Sequence, residues 1–482
     1  MLQIWRIIIA VVPRKFVGRR DELARLEREL AAVRRDHAGR FVLLRGRRRV
    51  GKSRLVTEFL RSAGIPTVYH TGTRQPPARE LALFTDAIGR SGLDAGALVT
   101  SGASFGTWEA AFRAIASSAS QSTPVAVVLD ELPYIAAGDA SFEAQLQAIW
   151  DRVVEPAPIL LIVVGSDLAM MEALTSYDRP LYGRPTRQMV IDPLRAGEVA
   201  QLLGIDGAVD ATLVVGGFPL NVLSWPPGTP LRAFVTEAVS DPTSALVISA
   251  ERTLSAEFPE PDARSVLLAV GASETSFSRI AARTQIPQTT LRRILDLLVS
   301  KRVLSLDHPL SARSTRRLAR YTVADSYLRF WLRFIGPGLA DIERGRADLV
   351  IDWILRDWPT YRGRAIEPLV REALQRRLPD ERLGDARIVG GYWDRSGSIE
   401  VDLVGMAGAS ADHVALVGSI KWRTSRPFNH DDLAALRHHR DVVPGTDERT
   451  ALVAVTRTGA ETPGIAAFGV VTFGPELLLT QP

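Results

Sequence analysis

The sequence predicts an α/β fold in which a parallel sheet carries a phosphate-binding loop at the end of one strand. Residues 41–44 (Phe-Val-Leu-Leu) form a short apolar run that predicts a buried strand. The glycine-rich segment 46–53 (Gly-Arg-Arg-Arg-Val-Gly-Lys-Ser) follows, and residues 54–60 then carry apolar side chains at helical spacing. A strand, a loop of this pattern and a helix, in that order, are typical of a site that holds phosphate groups.

The loop contains the residue types that a bound nucleotide requires. Gly46 and Gly51 let the backbone curl so that its N–H groups point at an anion, and the following helix adds its positive end. Lys52 is expected to reach the β- and γ-phosphates, and the Ser53 hydroxyl to bind Mg²⁺. The predicted cofactors are therefore ATP and Mg²⁺. The predicted nucleotide-binding residues are Gly46, Arg47, Arg48, Arg49, Val50, Gly51, Lys52, Ser53 and Arg54.

Length and composition limit the possible classes of protein. A chain of 482 residues predicts about three domains. It has no cysteine, which excludes disulfides and thiolate metal sites and fits a cytoplasmic location. The net charge of +5 permits acidic partners without requiring them. Residues 1–12 are apolar but too few to span a bilayer, so we expect no membrane segment and assign residues 1–15 to an N-terminal extension.

The first domain is expected over residues 16–194. A helix is predicted from residue 21, a second strand at 66–70, and helices at 79–89 and 107–119. The apolar run 124–129 then ends in two carboxylates, Asp130 and Glu131. In nucleotide hydrolases whose sheet has an additional strand, the first carboxylate supports Mg²⁺ and the second activates water. Asp130 is thus a predicted metal residue and Glu131 the predicted general base, unless Glu131 only caps a turn.

A further buried strand is predicted at residues 159–164, and it ends in Gly165-Ser166-Asp167. Ser166 is either a sensor that contacts the γ-phosphate or the water, or the cap of the next helix. Arg184, in the loop beyond, is either an arginine finger or a solvated side chain. The predicted catalytic residues are Glu131, Lys52, Arg184 and Ser166.

The middle of the chain is predicted to be largely helical. Residues 195–257 fit a helical lid over the nucleotide base, and residues 258–325 fit a winged helix. In the winged helix, the segment 287–300 projects Arg292 and Arg293 outward. The loop of the wing carries three more arginines, Arg313, Arg316 and Arg317. The module either binds duplex DNA or packs within the chain and regulates the first domain.

Residues 326–360 predict a helical connector, and residues 361–482 a smaller α/β domain. The connector has an aromatic face that favours docking between domains over base stacking. In the last domain, a helix begins near Glu367, and a strand presents Glu400 and Asp402 on one face. The next strand presents Ser419 and Lys421. Carboxylates and a lysine in this order resemble PD-(D/E)XK nucleases, where acids hold a metal and lysine orients water; a solvated hairpin is the alternative.

Taken together, these motifs resemble the archaeal-type ATPases, which are related to AAA+ proteins and also occur in bacteria. The resemblance covers about residues 16–475. It implies a P-loop ATPase core, a winged helix and a C-terminal nuclease-like domain of unknown role. The matching segments are 16–19, 46–53, 130–134, 165–166, 181–184, 216–219, 321–334, Glu367, 400–404 and 421–422.

One position departs from the pattern of that family. The residue two before the lysine is commonly glutamate, and here it is Ser419. Because hard divalent cations depend on the number of carboxylate ligands, the departure weakens any metal site. We expect the fold to be retained and DNA cleavage to be weak or absent.

Three functions remain open at this point. The first and favoured one is an ATP hydrolase whose nucleotide state controls the appended domains. The second is a nucleotide-gated DNA-binding regulator that contacts duplex DNA through the winged helix. The third is an ATP-dependent nuclease of a defence or mobile-element system. A homo-oligomer is compatible with each of them.

Overall fold

The computed structural model describes residues 16–205, 207–311, 318–408, 412–460 and 468–480. The chain divides into two compact units, Met1–Pro193 and Leu194–Pro482. Within the described ranges, no helix is both long and apolar enough to cross a membrane. The predicted N-terminal extension 1–15 and the wing arginines Arg313, Arg316 and Arg317 lie outside the described residues.

The first unit is built on a five-stranded parallel sheet with the order β2-β3-β4-β1-β5. The strands are β1 (Arg40–Arg45), β2 (Thr67–Thr71), β3 (Val125–Asp130), β4 (Ile159–Gly165) and β5 (Arg187–Val190). Strand β4 lies between β1, which leads into the phosphate loop, and β3, which ends in Asp130. The additional strand is therefore present, and the predicted P-loop fold is confirmed.

The helices of the first unit flank this sheet. They are α1 (Arg20–Asp36), α2 (Lys52–Ala63), α3 (Pro77–Gly89), α4 (Asp94–Thr100), α5 (Trp108–Ser118), α6 (Leu132–Gly138), α7 (Phe142–Ile149) and α8 (Leu168–Ala173). A π-helical turn, Trp150–Val154, extends α7. Every residue of β3 and β4 is buried, as expected for parallel strands covered on both faces. The carboxyl ends of such strands meet at one edge, which brings the phosphate loop, Asp130 and Ser166 together.

Strand β5 and helix α4 have no counterpart in the sequence prediction. In β5 only Met189 is buried, so the strand lacks the apolar run by which the other strands of this sheet were recognised. Its position comes from pairing with β1, in which Leu44 lies opposite Met189. Tertiary pairing of this kind leaves little trace in a local sequence pattern.

The second unit begins with a helical region and continues into three helices followed by an antiparallel hairpin. The first helices are α9 (Ala196–Leu203), α10 (Ala208–Val215), α11 (Pro219–Val222), α12 (Leu231–Ser240) and α13 (Ala245–Glu257). The next elements are α14 (Pro261–Gly271), α15 (Phe277–Thr284), α16 (Gln288–Ser300), β6 (Leu304–Asp307) and β7 (Arg320–Val323). This is the element order predicted for the winged helix.

An aromatic helical segment follows the β6–β7 hairpin, and its aromatic rings at residues 327–334 are buried. The helices are α17 (Ser326–Phe330), a π-helical turn Trp331–Ile335, α18 (Gly336–Glu343) and α19 (Ala347–Ala365). The Trp331 indole N–H donates to the Val247 carbonyl at 2.8 Å, and the Tyr327 hydroxyl donates to the Leu246 carbonyl at 2.9 Å. The aromatic face thus packs against α13, and its buried rings are not available for base stacking.

The C-terminal part is a mixed five-stranded sheet with the order β12-β11-β10-β9-β8. Its elements are α20 (Glu367–Arg377), a 3₁₀ turn Glu381–Leu383, β8 (Ile388–Trp393), β9 (Glu400–Met406), β10 (Val414–Lys421), α21 (His430–Val442), β11 (Ala451–Thr456), β12 (Val470–Phe473) and α22 (Glu476–Leu479). One hydrophobic core runs through the second unit from Leu194 to Leu478. The finer boundaries at 195–257, 258–325, 326–360 and 361–482 therefore stay predictions.

Candidate nucleotide-binding site

The phosphate loop takes a backbone course that two glycines make possible. Gly51 has a φ of 97°, and a Cβ atom on Gly46 would stand 2.5 Å from the Ile191 carbonyl oxygen. Both positions therefore require glycine. Arg49 also lies in the left-handed region, with a φ of 65°. A strained backbone at this point fits a loop shaped for a ligand and not for its own packing.

Lys52 begins α2 and bends back over the loop. Its side chain is 5% exposed, and its Nζ donates to the carbonyl oxygens of Gly46 at 2.8 Å and Arg47 at 3.0 Å. A buried ammonium group needs oxygen partners, and here the loop supplies them. Phosphate oxygens are acceptors of the same kind with more negative charge, so Lys52 is placed to serve them.

Two contacts between the loop and residues outside the motif hold the loop in place, and the sequence analysis predicts neither contact. Arg19 is buried, and its Nη2 donates to the Val50 carbonyl at 3.0 Å. Arg48 donates from Nη2 to the Tyr134 hydroxyl at 2.7 Å. Tyr134 lies in α6, just after the two carboxylates, so Arg48 joins the loop to the segment that follows β3.

Asp130 is buried at the end of β3 and is held through both of its carboxylate oxygens. Oδ1 accepts the Glu131 backbone N–H at 3.0 Å, and Oδ2 accepts the Tyr69 hydroxyl at 2.7 Å. Burial and the negative charge of Asp130 raise the pKa of Tyr69, and a hydrogen bond from the Ser53 side chain opposes them. Tyr69 and Asp130 are thus joined by a hydrogen bond near the carboxyl ends of the paired strands β2 and β3.

Glu131 stands next to Ser166 at the ends of neighbouring strands. Its backbone is left-handed, with φ 53° and ψ 50°, and the Ser166 hydroxyl donates to Glu131 Oε2 at 2.8 Å. The capping alternative for Ser166 does not apply, because the Asp167 side chain accepts the Met170 N–H at 3.0 Å and caps α8. An uncommon backbone conformation for a carboxylate residue is typical of functional sites.

The segment after β2 packs closely against the same strand end. A Cβ atom on Gly72 would stand 2.7 Å from the Glu131 carbonyl oxygen. The Glu80 carboxylate accepts the backbone N–H groups of Thr73 and Gln75, each at 3.1 Å, and so fixes this segment. Glu80 also lies 2.9 Å from His70 Nε2, and burial lowers the pKa of that imidazole against the raising effect of Glu80.

Arg184 lies away from the phosphate loop of its own chain. Its guanidinium donates to both oxygens of Asp151, at 2.9 and 3.0 Å, and to the Pro180 carbonyl. Two residues on, the Thr186 hydroxyl accepts the backbone N–H of Phe41, near the amino end of β1. The phosphate loop follows the opposite, carboxyl end of β1. The length of the strand, about 17 Å, therefore separates the loop from the region of Arg184. Hydrogen bonding to Asp151 raises the pKa of Arg184.

In the second unit, the structure brings Glu367, Asp402 and Ser419 together. Asp402 Oδ2 accepts the Ile420 N–H at 2.7 Å and the Ser419 hydroxyl at 3.2 Å. Arg371 bonds Glu367 Oε2 at 2.9 Å and the Asp402 carbonyl at 2.8 Å. Burial raises the pKa of Glu367 to about 7, the Arg371 charge opposes this, and Asp402 and Glu400 add to it.

Lys421 and Glu400 have different surroundings in this cluster. Burial lowers the pKa of His439, a residue that the sequence analysis does not single out; the charge of Asp402 opposes this shift and that of Lys421 adds to it. Glu400 is turned toward the wing, where Arg320 Nη1 donates to its Oε1 at 2.6 Å. Across the described residues of both units, no three Asp, Glu or His side chains are placed to hold a metal ion together.

The side chains of Ser53 and Asp130 fit Mg²⁺ by the chemistry of their oxygen atoms. A hydroxyl and a carboxylate are hard oxygen ligands, which this ion prefers. Mg²⁺ in nucleotide sites is typically bound by one or two protein oxygens together with substrate phosphates, and not by a cage of carboxylates.

Comparisons with known families agree with this geometry. A profile described as "AAA ATPase domain" matches residues 15–164, which include the loop, Asp130 and Glu131. The chain carries an AAA ATPase domain. A second profile, described as "Archaea bacterial proteins of unknown function", matches residues 331–433 of the chain. The two matches on one chain confirm the resemblance to archaeal-type ATPases.

Individual relatives are distant. An uncharacterized protein of Methanocaldococcus jannaschii is 23% identical over 418 residues, which cover 85% of this chain and 88% of the relative. The Walker-type ATPase PABY2304 of Pyrococcus abyssi superposes with a TM-score of 0.49 at 17% identity, over 66% of this chain and 96% of that one. The ORC2 protein of Aeropyrum pernix superposes with a TM-score of 0.44 at 12% identity, over 72% of this chain and 97% of that one.

Proposed function

We propose that this protein is a Mg²⁺-dependent ATP hydrolase whose nucleotide state controls its second unit. The observation that carries the proposal is the placement of Lys52, Ser53, Asp130 and Glu131 at one edge of the parallel sheet, at the start of α2 and the end of β3. Mg²⁺, when bound, neutralises charge on the β- and γ-phosphates. The protein positions the nucleotide and orients water, because phosphoryl transfer asks little covalent chemistry of it.

In this proposal Glu131 activates the attacking water. Its Oε2 is held by the Ser166 hydroxyl at 2.8 Å, so its other oxygen is oriented to accept the proton of the water. The water oxygen forms a bond to the γ-phosphorus as the bond to the β–γ bridging oxygen breaks. ADP leaves with the electron pair of that bond, and inorganic phosphate is the second product.

Arg184 serves this reaction only from a neighbouring copy. Its position near the amino end of β1 and its ion pair with Asp151 keep it from the phosphates of its own chain. In a homo-oligomer, the same arginine offsets the charge that develops on the phosphoryl group bound by the next subunit. Turnover per subunit should then rise with protein concentration.

The wing favours the packing-module interpretation over a free DNA-binding wing. The Leu310 N–H donates to the Gly391 carbonyl at 2.8 Å, and the Trp393 indole donates to the Leu318 carbonyl at 2.7 Å. Arg320 stacks 4.4 Å from the Trp393 ring centroid. The hairpin and its flanks thus cover β8, the edge strand of the C-terminal sheet.

DNA binding by α16 is the second candidate function. Arg292 and Arg293 are exposed on this helix, where a duplex can reach them. Cleavage of that DNA is not part of the proposal. Ser419 stands where a carboxylate ligand is missing, and Arg320 and Arg371 hold Glu400 and Glu367.

Steady-state ATP turnover, with and without duplex DNA, tests the proposal. Wild type should hydrolyse ATP only with Mg²⁺, and Glu131→Gln should keep ATP binding while turnover falls by roughly a hundredfold or more. Glu109→Gln, at a partly exposed position on α5 where the side chain pairs with Arg113, is the matched control and should behave as wild type. Unchanged turnover in Glu131→Gln would show that Glu131 is not the base.

If DNA binds, the salt dependence of its affinity identifies the surface. The slope of log affinity against log salt should be about −0.9 for each phosphate contacted, and Arg292→Ala with Arg293→Ala should flatten it. No binding at low salt would remove the second candidate function.

A further inference from the structure

We propose that Tyr69 is a positioning residue of the magnesium site, which it serves by fixing the orientation of the Asp130 carboxylate. The proposal rests on the assignment of Ser53 and Asp130 to Mg²⁺ in the proposed function. Neither the phosphate-loop pattern nor the two carboxylates after β3 point to Tyr69, which lies 61 residues before Asp130.

The sheet brings Tyr69 to this place. Val68 and His70 are buried in the core on one face of β2, so the alternation of a strand directs Tyr69 to the other face. Strand β2 pairs with β3, where Tyr69 lies opposite Val128 and Thr71 opposite Asp130. The phenol ring therefore extends along the sheet toward the carboxyl end of β3, where its hydroxyl meets Asp130 Oδ2 at 2.7 Å.

The direction of the hydrogen bond gives Tyr69 its role. Ionised Asp130 has no proton, so the Tyr69 hydroxyl must be the donor in their contact. The neutral Tyr69 hydroxyl orients this carboxylate and leaves its negative charge for Mg²⁺.

The same hydroxyl fixes the plane of the Asp130 carboxylate. Oδ1 is held by the Glu131 N–H at 3.0 Å and Oδ2 by Tyr69, so neither oxygen can rotate away. Partners of this kind, which orient the ligands of a metal, typically account for 10- to 100-fold in metal affinity. Phenylalanine would keep the ring and remove only the hydroxyl, so Tyr69→Phe isolates this contribution.

ATP binding to the full chain, measured with Mg²⁺ and with EDTA, tests the proposal. Wild type should bind more tightly with Mg²⁺. In Tyr69→Phe, we expect binding in EDTA to match wild type and the tightening by Mg²⁺ to fall by about tenfold or more. Tyr177→Phe, at a tyrosine that is 83% exposed, is the matched control and should keep the full effect.

A double-mutant comparison separates positioning from packing. If Tyr69 acts through Asp130, most of the loss caused by Tyr69→Phe should disappear in an Asp130→Asn background. Equal tightening by Mg²⁺ in wild type and Tyr69→Phe would overturn the proposal. Equal loss of binding with Mg²⁺ and with EDTA would also overturn it, because it indicates a structural role. If wild type itself shows no tightening, the metal assignment of the proposed function fails together with this one.

Discussion

The nucleotide site of the first unit and the acidic cluster of the second both place carboxylates at the ends of strands, but they prepare them differently. Asp130 and Glu131 accept hydrogen bonds from hydroxyls and one backbone N–H, which leave their charge in place. Glu367 and Glu400 are bonded to arginines instead. Carboxylates that are already neutralised by arginine are poor ligands for a cation.

Burial also affects a carboxylate of the second unit, Glu367. Burial raises the pKa of Glu367 to about 7 against the opposing charge of Arg371, so part of this group keeps its proton near neutral pH. A metal-binding carboxylate must lose its proton, and here that step opposes metal binding. The carboxylates of the first unit thus keep their charge for a cation. Those of the second unit are paired with arginines, and burial opposes the ionisation of Glu367.

The largest effect that we expect is a loss of ATP affinity on substitution of Lys52. Lys52→Ala removes the ammonium group that the loop carbonyls hold at 2.8 and 3.0 Å. Hydrogen bonds to charged groups contribute about 1.5–3 kcal/mol, so ATP affinity should fall roughly 10- to 100-fold. Nucleotide titration by calorimetry measures this, with Lys301→Ala at the end of α16 as the control. Equal ATP affinity in wild type and Lys52→Ala would show that Lys52 does not bind the phosphates and would contradict the nucleotide site of the first unit.

The next effect concerns the missing carboxylate. Ser419→Glu adds an acid beside Asp402 and restores the residue type found in the related nucleases. We expect nicking of supercoiled DNA with Mg²⁺ or Mn²⁺ to rise above wild type, because metal affinity depends on the number of carboxylate ligands. Ser425→Glu, at an exposed position after β10, controls for added charge. Efficient cleavage by wild type that Asp402→Ala abolishes would contradict the account.

A smaller effect is expected at the wing. Arg320→Ala removes an ion pair with Glu400 and a contact with the Trp393 ring, each worth about 1 kcal/mol or less. The second unit should lose a little thermal stability, and duplex affinity at low salt should stay equal or rise. Arg356→Ala, on an exposed part of α19, is the matched control. A clear loss of DNA affinity in Arg320→Ala alone would show that the wing is free to bind DNA.

The smallest effect is a dependence of stability on pH. The pKa of Glu367 is about 7 in the folded chain against a reference of 4.5. Between these values the unfolded chain has lost the proton that the folded chain keeps, so the free energy of unfolding falls as pH rises from about 4.5 to 7. Glu367→Gln cannot titrate and should lack this fall, as thermal melts across that window would show.

Glu343→Gln, at an exposed position on α18, should keep the wild-type dependence on pH. Parallel curves for wild type and Glu367→Gln would mean that Glu367 is ionised in the folded state. The second region would then resemble the first more closely than the account allows.

What the sequence revealed depends on how local each feature is. The loop 46–53 was predicted because its pattern encodes its own backbone course, in which Gly51 takes a φ of 97°. Asp130 and Glu131 were found because parallel strands end at one edge of the sheet. Tyr69 was missed, because its partner Asp130 is 61 residues away. Arg19 lies in the matching segment 16–19, but its contact with Val50, 31 residues away, left no signal. Glu400 was placed on the correct strand, but its contact with Arg320 across 80 residues had no signal.

Side-by-side assays of ATP turnover and DNA cleavage, on the same full-length protein with Mg²⁺, test the central claim most directly. The account predicts ATP hydrolysis by wild type and by Asp402→Ala, little or none by Glu131→Gln, and no efficient cleavage by any of the three. Full ATP turnover in Glu131→Gln, or cleavage by wild type that is lost in Asp402→Ala, would contradict it.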